Sequence, residues 1–262
     1  MNIDRFKKVV VRDFHNTYSL FGMSMLILML VPVALWMLGL VFGEVELPSY
    51  LRMNMIEFVV FLTAAISSMK IYNSCNLVGK GNYFAMLPAS LSEKFWSMLL
   101  YCFVVCPLVV FVGLYAVDTL LTLLPFGPYR EYLWDIPDWM QAMIVSGWDY
   151  SNLQSFLSTA GKVLGVTSLF MLANTIFKKN KFIKTVLWLM LIGFVAIVVL
   201  VPIVKHIDID WQWWIDKVSK LFKDADKRTL VNIMFWTSFI FDLVVSAVLL
   251  LITNRRLKKM QY

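Results

Sequence analysis

Residues 95–114 read FWSMLLYCFVVCPLVVFVGL, twenty consecutive residues without a charge. A helix of that length rises about 30 Å, the thickness of a bilayer's hydrocarbon core. The run is too long and too continuous to be the alternating, roughly ten-residue strand of a membrane barrel. This stretch sets the fold class as an all-α integral membrane protein.

Five further stretches match it outward along the chain, at about Ser19–Phe42, Ile56–Tyr72, Leu153–Phe177, Thr185–Val204 and Leu230–Ile252. The sequence thus predicts six spans. The run that starts at Phe95 stays apolar to Phe126, as a tilted span or as a span followed by an interfacial segment. Of the 262 residues, 60% are hydrophobic and 16% charged. Soluble domains are about 45–50% apolar, so a soluble core could not absorb this surface. Residues 1–262 read as a single transmembrane domain without a soluble one. Residues 1–18 are too long and polar for the leading region of a cleavable signal, so the first apolar run is expected to be the first span. The 3 cysteines are too few for a disulfide framework. Cys102 and Cys106, one helical turn apart, and the 16 scattered methionines are expected to pack rather than bind metal.

Basic residues fix the orientation. Arg5, Lys7, Lys8 and Arg12 precede the first span, and Lys70, Lys80 and Lys94 flank the second-to-third loop. Lys178, Lys179, Lys181 and Lys184 follow the fourth span, and Arg255, Arg256, Lys258 and Lys259 follow the sixth. The acids Glu44, Glu46, Glu131, Asp135, Asp138 and Asp149 fall on the opposite side. Both termini are therefore expected in the cytoplasm. The net charge of +7 follows from this bias and from attraction to anionic membrane lipid; it gives no reason to invoke nucleic acid.

Ile3, Phe6, Val10, Phe14 and Tyr18 recur at helical spacing, with Arg5, Lys8 and Arg12 on another face. Residues 1–18 are expected to form an amphipathic helix in the inner headgroup layer, the alternative being a cytoplasmic extension of the first span. On the outer side, Trp134, Trp139 and Trp148 mark one interfacial loop. Trp211–Arg228 makes a second amphipathic pattern, with an aromatic belt as its ordinary role.

The inner loop Gly79–Lys94 reads GKGNYFAMLPASLSEK. Ser90-Leu91-Ser92-Glu93 fits a capping box, in which the serine hydroxyl and the glutamate carboxylate satisfy each other's backbone N–H. Pro88 disfavours helix at Leu87. The chain is expected to break there, restart at Leu91 and run through Phe95 and Trp96 into the third span. Asn76–Leu87 has room for two or three helical turns, with Gly79 and Gly81 weakening its start. A short helix, a proline break and a capped span make a lever.

This plan resembles the membrane subunits of ATP-binding-cassette exporters of the type-two permease family. The resemblance is carried by Gly81-Asn82-Tyr83-Phe84-Ala85-Met86-Leu87-Pro88-Ala89-Ser90, followed by Glu93-Lys94, and by the plan of an elbow helix and six spans. The family often has an acid before the glycine where this chain has Lys80, and its outer segment between spans five and six is longer. The resemblance implies that Asn76–Leu87 is a coupling helix docking on a separate ATPase subunit. Tyr83, Phe84, Met86 and Leu87 would be its apolar residues, with Lys80 and Glu93 at the rim. It also implies a homodimer or heterodimer with a second permease in the cytoplasmic (inner) membrane. The chain has no G-x-x-x-x-G-K-[ST] sequence. ATP and Mg would reside in the partner, and this chain is expected to bind no cofactor.

Two charges fall inside expected spans, Lys162 in the fourth and Asp242 in the sixth. Each costs about 2.5–3.5 kcal/mol at a helix centre on insertion scales. They are expected at similar depth, as an ion pair locking the two spans or as a substrate or proton site. Gly161-Lys162-Val163-Leu164-Gly165 permits close helix approach. Asp118 and Glu57 are expected near outer span ends without a special role, and Pro32, Pro107 and Pro202 are expected to kink their helices. The expected function is ATP-driven export by a permease subunit that is not itself an enzyme. The alternative is a secondary transporter or channel using Lys162 and Asp242. No HExxH sequence or nucleophile elbow favours a membrane-embedded enzyme.

Overall fold

The computed structural model describes residues 3–42, 47–73, 89–129, 132–133, 152–206 and 227–260. Every regular element among them is helical: α1 (Ile3–Met29), α2 (Val31–Val41), α3 (Ser49–Ile71), α4 (Leu91–Leu99), a π-helical turn (Leu100–Val105), α5 (Cys106–Thr122), α6 (Asn152–Ile176), α7 (Lys181–His206) and α8 (Lys227–Met260). Among the described residues, five helical stretches are long and apolar enough to cross a membrane: Thr17–Val41, Leu51–Ile71, Leu91–Thr122, Lys181–Val199 and Phe235–Lys259. The chain is a multi-pass membrane protein by this measure.

The fourth expected span is not among the five. It does form a helix, α6, of 25 residues. Lys162, Thr167, Ser168, Asn174 and Thr175 lower its hydropathy, and all of these except Lys162 are buried. Its polar groups are spent on neighbouring helices and on its own backbone. Thr167 Oγ1 donates to the Val163 carbonyl at 2.8 Å and Thr175 Oγ1 to the Leu172 carbonyl at 2.7 Å, which removes the cost of a bare hydroxyl in an apolar setting.

The first expected boundary also moves. No separate interface helix ends near Tyr18; α1 runs unbroken from Ile3 to Met29. Val9, Asp13, Thr17 and Phe21, spaced by four, form its buried face. Ile3, Phe14 and Tyr18 of the expected apolar stripe are exposed. The break comes at Leu30, where Pro32 at the start of α2 removes an N–H and crowds the preceding turn. Pro107 acts differently. The helix widens just before it, with the Cys106 N–H reaching back to the Tyr101 carbonyl. The apolar run from Phe95 is one helical path to Thr122. Helix α7 continues through Pro202 without interruption.

Helix α3 is the centre, with 56% of its span buried against 6% for the span of α7. It touches α1, α5, α6 and α7. Its buried face carries Thr63, Ala64, Ala65, Ser67 and Ser68, small residues that let backbones approach. Thr63, Ser67 and Ser68 donate to carbonyls of their own helix. Cys102 and Cys106 lie fully buried in the apolar core around this helix.

The glycine pair of α6 faces α8. A Cβ on Gly161 would stand 3.2 Å from the Phe239 ring and 3.8 Å from Asp242 Cβ, and one on Gly165 would stand 3.6 Å from Ser246 Oγ. This contact face turns Lys162, one residue round the helix, outward. Lys162 is exposed, Asp242 is half-buried, and no ion pair joins them.

An ion pair between two other helices was not expected. Arg52 Nη1 donates to Asp118 Oδ2 at 2.8 Å, both side chains being 2% exposed. The guanidinium lies 4.4 Å from the centre of the Tyr129 ring. Burial pushes the Tyr129 phenol well above its ordinary pKa, so it stays a donor, reaching the Pro32 carbonyl at 3.0 Å. Asp118 thus ties α5 to α3 and, through Tyr129, to α2. Glu57 on α3 accepts from Thr159 of α6 at 3.5 Å. The Trp134–Trp148 loop and Trp211–Arg228 lie outside the described residues.

Two stability outcomes follow from these contacts. Gly165→Ala is expected to be neutral or stabilising by up to about 1 kcal/mol, because its Cβ fits and helix propensity improves. Gly161→Leu should cost about 1–3 kcal/mol by overpacking against Phe239. Thermal unfolding in detergent should rank Gly165→Ala, parent, Gly161→Leu. Asp118→Ala should cost about 3–5 kcal/mol by stranding a buried cation, while the double change Arg52→Met with Asp118→Leu costs less. A double variant as unstable as the single one would refute that account.

Candidate functional site at the basic end of the bundle

Three of the expected basic groups converge at one end: the first half of α1, the end of α3 and the α6–α7 turn. A single carboxylate organises it. Asp13, 1% exposed, accepts from Tyr72 OH at 3.0 Å and from Ser97 Oγ at 2.6 Å, both on Oδ2. Its Oδ1 accepts from Arg12 Nε at 2.9 Å and forms an ion pair with the same guanidinium. Four-residue spacing places Asp13 on the inner face of α1, between Val9 and Thr17. Tyr101 OH adds a bond to the Val10 carbonyl at 2.7 Å. Tyr72 closes α3, and Ser97 belongs to the first turns of the third span. Both sides of the inner loop therefore meet on one oxygen.

The α3 side is held a second way. Asn174 Nδ2 donates to the carbonyls of Ser68 at 2.9 Å and Tyr72 at 3.1 Å. Lys181 Nζ donates to the Asn73 carbonyl at 2.7 Å and to Asn174 Oδ1 at 2.6 Å. These are carbonyls that a helix end leaves without an intrahelical partner. A cation there also complements the helix dipole. The end of α3 is thus capped by side chains from α6 and α7.

On the other side the capping box forms. Glu93 N–H donates to Ser90 Oγ at 3.3 Å, and Ser90 N–H to Glu93 Oε2 at 2.8 Å. Glu93 and Lys94 are each 2% exposed. Glu93 caps α4 from a buried position. One oxygen of its carboxylate, Oε2, accepts from the Ser90 backbone, which fixes where α4 begins.

The expected docking residues Lys80, Tyr83, Phe84, Met86 and Leu87, with Pro88, lie outside the described residues. The structure brings together the residues that flank them. It does not bring Lys162 and Asp242 to this site. Sequence reading missed Asp13, Tyr72, Ser97, Asn174 and Lys181 as a set. The available signal was Asp13, an acid in a largely basic segment, in step at four-residue spacing with Val9, Thr17 and Phe21.

No family model, curated protein or solved structure matches this chain.

Replacing Asp13 by Ala should leave the Tyr72 and Ser97 hydroxyls unsatisfied, at about 1–3 kcal/mol each where they stay buried. Hydrogen–deuterium exchange should then speed up at residues 70–73 and 90–101. Exchange within residues 185–199 of α7, remote from this carboxylate, should stay unchanged. Uniform acceleration along the chain would mean global destabilisation instead of a local hub.

Proposed function

We propose that the chain is the transmembrane permease subunit of an ATP-driven exporter, with a separate ATPase docking on residues 76–87. One observation carries the reading: both flanks of that segment are tied to the same buried Asp13 oxygen. Force applied between Tyr72 and Ser90 would reach α1, α3 and the third span together, since each contributes an atom to the hub. The capping box adds a stiff start to α4, so a displacement before Pro88 passes to the third span with little slack. The charge bias puts this end in the cytoplasm, where an ATPase would be met. Six spans, counting the more polar α6, and two permease copies around a shared path complete the arrangement. ATP and Mg are handled by the partner. ATP binding there would bias a two-state membrane domain between inward and outward access.

The rival reading uses Lys162 and Asp242 as an ion-coupling site. It loses support from Lys162 facing outward, away from the α6–α8 contact.

The test is affinity purification of the full chain from its own membranes in mild detergent. An ATPase should co-purify with the parent and fall about tenfold or more for Tyr83→Asp and for Phe84→Asp, since burying an unpaired charge in an apolar dock is costly. Both variants should keep the parent's unfolding midpoint. Undiminished recovery of the ATPase with both variants overturns the docking assignment.

A further inference from the structure

Beside the Asp13 hub, an open groove of about 430 Å³ lies between the end of α3 and the start of α7. That volume is in the range of small-ligand sites. Its walls are apolar: Ile66 and Met69 from α3, Phe182 and Ile183 from α7. Its polar margin is Lys70, Asn73, Asn180 and Lys181. Phe182 is held in place by stacking on Phe170 of α6, with ring centres 5.8 Å apart. The groove is therefore amphipathic, with a fixed aromatic wall and a cationic edge.

Lys70 is exposed, and its ammonium donates to Ser24 Oγ of α1, leaving its other protons for a ligand. Lys178 and Lys179 on the α6–α7 turn, and Lys184 in the first turn of α7, are exposed and adjoin groove residues in the chain. Among the described residues no carboxylate pairs with any of these four lysines. Ile183 is 61% exposed, and the outer surface of α7 beyond it is almost wholly apolar. The groove thus opens at the level where an apolar membrane-facing surface gives way to a basic rim. A basic pocket between membrane helices at the cytoplasmic face is suited to an anionic lipid headgroup.

The geometry points to a binding site for an anionic glycerophospholipid, its phosphate on Lys70 and its proximal acyl chain along Ile66, Met69, Phe182 and Ile183. Charge complementarity selects the anionic headgroup, and the apolar walls select a lipid over a free anion. The site rests on the chain lying in a bilayer, not on the ATPase partner. Because Lys181 and Asn73 belong to both the groove margin and the cap on α3, an occupied groove would buttress the anchor of the inner loop.

The experiment is native mass spectrometry of the full chain in neutral detergent. It is supplemented in separate arms with phosphatidylglycerol, phosphatidylcholine or inorganic phosphate at equal concentration. Phosphatidylglycerol adducts should survive activation better than phosphatidylcholine adducts. Lys70→Gln should reduce them about fivefold, the effect of one lysine at a membrane surface. Ile183→Glu should reduce them by a similar factor, while Lys258→Gln, a basic residue on α8, should not. All three variants should keep the parent's unfolding midpoint without lipid. Equal retention of the two lipids overturns the site, as does equal loss in Lys258→Gln, which would mean unspecific attraction. Displacement of phosphatidylglycerol by inorganic phosphate at the same concentration also overturns it, because the site would then be an anion site only.

Discussion

One oxygen of Asp13 accepts hydrogen bonds from two helices that flank the same loop. A buried carboxylate is tolerated only when its lone pairs are filled, and hydrogen bonds to an ionised acceptor are stronger than neutral ones. Asp13 therefore demands donors, and the fold supplies Arg12, Tyr72 and Ser97. That demand fixes the rotation of α1, since Asp13 must face the bundle. It also explains why α1 does not lie flat as a separate interface helix. Withdrawing the carboxylate into a headgroup layer would strand Tyr72 and Ser97.

The rest of the bundle follows from how helices associate where no water is present. Apolar side chains gain little by leaving lipid for protein, so contacts rely on close backbone approach and on interhelical polar groups. Helix α3 provides the first with its run of alanine, serine and threonine, and α6 provides it with Gly161 and Gly165. Asn174 and Lys181 provide the second. The spans of α7 and α8 are the least buried. Strongly apolar spans are left facing outward, which is expected when the solvent is lipid.

The two ends of the bundle differ in the kind of pairing they use. Toward one end, Arg52 and Asp118 neutralise each other in a nearly dry setting beside the Tyr129 ring. Toward the other, Asp13, Asn174 and Lys181 hold loop-proximal backbone and hydroxyl groups, and exposed lysines lie in the same segments. The first arrangement closes the structure. The second leaves charge exposed.

The membrane class, most span positions and the start of α4 were legible in the sequence. Each depends on residues close together in the chain: a run of apolar side chains, or a serine three places before a glutamate. The turn of Lys162 away from Asp242, the pairing of Arg52 with Asp118 across 66 positions and the convergence of Tyr72 and Ser97 on Asp13 were not legible. A span's sequence gives its depth in the membrane but not its rotation about its own axis, and two charges at the same depth need not face each other. Local patterning determined which segments are helices. Only tertiary packing, through the placement of glycines, small residues and one buried carboxylate, decided which faces meet.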